Sequence, residues 1–161
     1  MASKADFDAE QWQTVTEGPA LAGMIVISAQ RGGTIRESMG MARAYQAARE
    51  QHPGGDLLSE IVTSPPSIQG KFQSAEQLRS EGTQRIRDAV ALFEDKAPEE
   101  ADAYRGFIVA VAERAAEATK SGDVLGIGGE RVSDAESAAL DEIAAAAGTE
   151  RTAGGGATES E

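Results

Sequence analysis

"GMIVISAQR", residues 23–31, is the most apolar run in the chain, and "GFIVAVAER", residues 106–114, later repeats its pattern. Laid on one another, the two share Gly23/Gly106, Ile25/Ile108, Val26/Val109, Ala29/Ala112 and Arg31/Arg114. With Leu21, Met24, Ile25 and Ile27 the first run is apolar on nearly every side of a helix, too apolar to lie on a surface. Both runs therefore read as central helices of a bundle, with Gly23 and Gly106 expected where their backbones approach most closely. A glycine-containing break and a capped helix follow each copy. Two similar halves around the central helices are one reading; the other is that buried helices in an alanine-rich chain draw on few residue types.

Outward from these runs the pattern stays helical. Asp8 with Gln11 reads as a capping box for a short helix carrying Trp12, which Gly18 and Pro19 are expected to interrupt. Pro19 then suits the first turn of the first apolar helix. Thr34 opens a helix with Ile35, Met39, Ala42 and Tyr45 that ends near His52, and a shorter one carries Leu57, Leu58, Ile61 and Val62. "SPPSIQGKFQ", residues 64–73, reads as a loop because Pro65 and Pro66 lack amide donors. "SAEQ", residues 74–77, caps a long helix with Ile86, Ala89, Val90 and Phe93 on one face. Pro98, with Glu99, Glu100 and Asp102 suited to a helix start, begins the helix that holds the second run and extends to about Lys120. "SGDVLGIGGERV", residues 121–132, is a glycine-rich joint with Leu125 and Ile127 turned inward, and "SDAE", residues 133–136, caps a final helix through Leu140, Ile143 and Ala147 to Gly148.

No stretch alternates with period two, so the expected class is all-α: a single-domain bundle of about seven helices over residues 8–148. Residues 1–7 and the acidic, glycine-rich tail 149–161 have little to bury and read as disordered.

Composition narrows the function. The net charge of −12 repels phosphate backbones, and no basic, aromatic-rich patch offsets it, which argues against nucleic-acid binding. No apolar run approaches the roughly 20 residues of a membrane span. Cysteine is absent and the opening residues are polar and acidic, so a cytoplasmic setting without disulfides or thiolate metal sites is expected. Charge is uneven: Arg31, Arg36, Arg43 and Arg49 fall in one helix region, whereas residues 121–161 are strongly acidic.

Candidate chemistry is sparse. One histidine and no cysteine leave no zinc or haem ligand set, and His52 beside Pro53 reads as an exposed helix end. An EF-hand register from Asp123 places Leu125 and Ile127 where oxygen ligands belong and ends on Asp134 in place of glutamate. Asp123, Glu130 and Asp134 are the candidates for a looser, carbonyl-rich divalent-cation site, against which stands the reading of this loop as a structural joint. "GIGG" has no P-loop lysine, no serine has a catalytic histidine to work with, and the acidic cluster at residues 94–102 reads as a solvated helix junction. No catalytic residue and no cofactor are expected.

A central apolar helix, a glycine-bearing turn and a capped acidic helix, here ending in "GERVSDAESAALDEIAAAAG", residues 129–148, resemble the tellurium-resistance TerB-like helical proteins, the likeness covering mainly residues 106–148. That resemblance implies an all-α bundle with an internal pseudo-twofold and a stress-linked, non-enzymatic interaction role. The chain departs from the family pattern at "RGGTIRES", residues 31–38, where two arginines replace acidic residues, and at Asp123, which "VLGIGG" follows. The expected function is a non-catalytic helical interaction or scaffold protein with a protein partner or a second copy of itself. A small-molecule or divalent-cation binding protein is the alternative.

Overall fold

The computed structural model describes residues 3–29, 45, 46, 50, 56–64, 68, 70–121 and 134–149. They are helical almost throughout, with no strand among them. A 3-10 turn at Lys4–Asp6 leads into α1 (Ala9–Ala29); α2 (Asp56–Thr63), α3 (Ala75–Lys96), a 3-10 turn at Pro98–Glu100, α4 (Ala101–Ser121) and α5 (Asp134–Ala147) follow. Helix α1 packs on both α3 and α4, and α5 lies against all three. Among the described residues no helix is long and apolar enough to cross a membrane.

The two repeated runs occupy the middle of this arrangement. Leu21, Ile25 and Val26 of α1 and Ile108, Val109 and Val111 of α4 are buried in one core with Ile86, Phe93, Phe107 and Ile143, and Met24 packs half-buried against it. The apolar character of both segments is thus explained by burial on several sides at once, against neighbours that themselves carry one apolar stripe.

Helix α1 differs from expectation, and the difference has a local cause. The anticipated break at Gly18 and Pro19 does not occur: α1 runs unbroken for 21 residues with Pro19 inside it. Proline has no N–H, so the carbonyl of Val15, four residues back, loses its helical donor. The Tyr104 hydroxyl of α4 supplies a replacement, donating to Val15 O at 2.7 Å in a buried bond. Gly18 makes room for it, because a Cβ there would sit 2.7 Å from Tyr104 Oη and 3.2 Å from Ala89 Cβ. The Gly-Pro pair is therefore a docking seam for α4. Close approach also occurs at Gly82 on α3, where a Cβ would lie 2.8 Å from Ile25 Cδ1; neither Gly18 nor Gly82 belongs to the repeated run, and Gly106 is only half-buried.

Because the first two expected helices are one, and the region from Thr34 to His52 lies largely outside the described residues, five α-helices are delimited among the described residues in place of about seven. Tyr45 of that region is helical and buried, with its ring edge-on to Phe107 at 5.5 Å. Of residues 1–7, which the sequence suggests are disordered, residues 3–7 are among those described and make local and core contacts. Ser3 N donates to Asp6 Oδ2 at 2.7 Å, and Phe7 is buried against Trp12 and Phe93, with the Lys96 ammonium 5.9 Å over its ring. The tail beyond residue 149 lies outside the described residues.

The terminal signals of the helices are in place where they are described. Asp8 and Gln11 exchange side-chain and backbone bonds at 2.8 and 3.0 Å, as a capping box requires. Ser74 Oγ accepts from Gln77 N at 3.0 Å. Gly148 adopts φ +76 while Thr149 N reaches Ala144 O and Gly148 N reaches Ala145 O, a Schellman ending that glycine permits. Glu100, in the turn before α4, accepts from Leu58 N at 3.3 Å and ties α2 to that junction.

Candidate functional site

An open groove with an apolar interior lies between α1, the start of α3 and the segment crossing from α2. Met24 and Ser28, one turn apart on α1, face Leu78 of α3, while Ile68, Lys71 and Phe72 come from the crossing segment; the groove holds about 590 Å³. Gly70 turns the segment with φ +84, a conformation that favours glycine. Met24, Ile68, Phe72 and Leu78 give an apolar interior, and Ser28 and Lys71 give a polar edge.

A second concavity of about 580 Å³ lies along α3 and α5 and is lined by charged groups including Glu76, Arg79, Glu81, Arg87 and Glu142. Arg79 and Glu142 pair across it, both of them substantially exposed. Water competes for every group there, which leaves little driving force for selective binding.

Within the bundle, several buried polar side chains serve the helices, and Glu113 of α4 is buried there as well. Glu17, 6 % exposed, pairs with Arg85 of α3 at 3.0 Å. Thr16 and Thr83, also buried, return their hydroxyls to Gln13 O at 3.0 Å and Arg79 O at 2.8 Å. Tyr104 stacks flat on Phe93 at 4.2 Å and spends its hydroxyl on Val15 O. Burial, with Tyr45 nearby as a smaller cause, holds the Tyr104 phenol well above the usual tyrosine range. Burial likewise raises the Tyr45 phenol, whose hydroxyl finds no hydrogen-bond partner among the described residues. Both phenols therefore keep their protons at neutral pH.

Of the expected cation ligands, Asp123 and Glu130 lie outside the described residues and Asp134 is the first residue of α5. His52 and Ser133 also lie outside them. Among the described residues no group of three or more His, Cys, Asp or Glu side chains converges as a metal site would. The acidic junction at residues 94–102 is organised by one cation: Arg105 pairs with Glu94 through Nη2 and with Asp102 through Nη1, the latter at 3.0 Å. Both carboxylates are more than half exposed, which fits a solvated junction.

The Glu17–Arg85 pair and the groove were not anticipated. The one available signal was a carboxylate beside Gly18 at the edge of the most apolar helix; its partner lies 68 residues away, beyond what helical periodicity can report. No protein-family model, no curated protein and no solved structure matches this chain.

Proposed function

We propose that this chain is a non-catalytic helical interaction or scaffold protein, cytoplasmic and stress-associated, that binds a protein partner or a second copy of itself. The observation that supports the reading is that four buried polar side chains are engaged within the helical framework. Glu17 is paired to Arg85, Tyr104 to the Val15 carbonyl, and Thr16 and Thr83 to their own helices. A catalytic centre needs polar groups aimed at a cavity and poised to change protonation. These groups are aimed at backbone or at each other. The likeness of residues 106–148 to TerB-like proteins supports the stress-linked role, and the charge of −12 favours a protein surface over nucleic acid as partner.

A second reading has its own observation. The groove of about 590 Å³ between Met24, Phe72 and Leu78 is of the size that small-molecule sites have, and its apolar interior with a polar edge suits a small amphiphile. A divalent cation at Asp123, Glu130 and Asp134 belongs to the same alternative. Thermal-shift screening against metabolites and calcium, followed by calorimetry, separates the two. The scaffold reading expects no saturable ligand-induced rise in Tm. A reproducible rise of several degrees with measurable heat of binding overturns it in favour of the second.

A further inference from the structure

Arg85 stands where three parts of the fold meet. Its Nη1 lies 3.0 Å from Glu17 Oε1 on α1, and its Nη2 lies 4.0 Å from Glu81 Oε2, one turn back on α3. Its guanidinium carbon is 5.3 Å from the centroid of the Phe72 ring in the crossing segment. The φ +84 turn at Gly70 brings the segment to the same cation: a Cβ at Gly70 would be 4.0 Å from Arg85 Nη2. Phe72 and Ile68, both half-buried, form the outer wall of the groove whose inner wall is Met24 and Leu78. We infer that residues 70–73 are a strap, fastened to the bundle by the Arg85 guanidinium, that closes one side of this groove and opens it on release.

The chemistry of the fastening is asymmetric. A guanidinium can offer N–H groups at its edge to a carboxylate and its flat face to an aromatic ring at the same time. The edge contact goes to Glu17, whose carboxylate is buried and would be costly to leave without its cation, so Arg85 stays with the helices. The contact to Phe72, with the guanidinium carbon 5.3 Å over a half-buried ring, is the weaker of the two, so the strap is set to part from Arg85 while α1 and α3 remain joined. The strap also carries Lys71, an exposed lysine that makes it a tryptic site. The inference goes beyond both readings above and holds or fails independently of whether the groove takes a ligand.

Limited trypsin digestion of the full chain under native conditions tests it, with mass spectrometry following the cut between Lys71 and Phe72 and peptide mapping following peroxide oxidation of Met24. Phe72→Ala removes the strap's ring and leaves Glu17–Arg85 in place; Arg85→Lys keeps a cation for Glu17 and removes the flat face. The wild-type cut at Lys71 should be much slower than in the urea-unfolded chain. Both variants should accelerate it about tenfold, since native cleavage follows the population of the open form, while cuts within α3 and α4 stay slow. Met24 oxidation should quicken in parallel. If Arg85→Lys loses the helical circular dichroism, Phe72→Ala decides alone. A wild-type cut at Lys71 as fast as in the unfolded chain overturns the strap, and so does an unchanged rate in Phe72→Ala.

Discussion

Gly18, Pro19, Val15 and Tyr104 form a unit in which each residue explains another. Pro19 withholds a donor from Val15 O, Tyr104 Oη provides one at 2.7 Å, and the missing Cβ of Gly18 leaves room for the hydroxyl. Gly18→Ala places a methyl group 2.7 Å from that oxygen and 3.2 Å from Ala89 Cβ, both on packed helices that cannot withdraw freely. It should cost about 1–3 kcal/mol, read from urea unfolding. The tyrosines also predict a pH dependence. Burial raises the folded-state pKa of Tyr104 and Tyr45 above the unfolded value of 10.0, so their contribution is fully present below about pH 10 and is lost as pH rises towards the folded values. Unfolding free energy should therefore fall with pH above about 10, and Tyr104→Phe should flatten that fall; an equal slope in the variant would mean that the buried phenol is not the cause.

The helices divide by where their information lies. Starts and stops were legible where a short local motif satisfies end groups: Asp8/Gln11 and the Gly148 ending stand as the residues suggested, while at "SAEQ" Ser74 caps the helix but the Gln77 side chain accepts from Gln73 N in place of Ser74 N. Ser74→Ala should accordingly lose about 0.5–2 kcal/mol, measured by thermal or urea unfolding. The faces of α3 and α4 were legible as well, because apolar spacing reports burial directly. The continuity of α1 was not. The rule that proline ends a helix assumes that the orphaned carbonyl must find water or a local donor, whereas here the donor stands 89 residues further along the chain. The same limit hid the groove. Arg85 reads as an exposed helix cation until α1 is laid beside α3, and Phe72 reads as a loop residue until the turn at Gly70 brings it to that cation. Local chemistry is written in neighbouring residues; a site assembled from α1, α3 and a crossing segment is written in their packing.

At the scale of the molecule, stability is concentrated in the contact of α1 with α3 and α4, and the surface contributes little. Ile25→Ala and Ile108→Ala, each removing a side chain at most 1 % exposed, should cost about 2–5 kcal/mol apiece in urea unfolding. The exposed Arg79–Glu142 pair between α3 and α5 should contribute less than about 1 kcal/mol, so Glu142→Gln is expected to be close to neutral. Within that contact, the central claim is that Tyr104 of α4 replaces the donor that Pro19 withholds from α1. A double-mutant cycle with Pro19→Ala and Tyr104→Phe, measured by urea unfolding, tests that claim directly. With Pro19 present, Tyr104→Phe leaves the buried Val15 carbonyl without its donor and should cost about 1–3 kcal/mol. In the Pro19→Ala background the helix supplies its own N–H, and the same change should cost at least about 1 kcal/mol less. Additive effects, within about 0.3 kcal/mol, would contradict the seam.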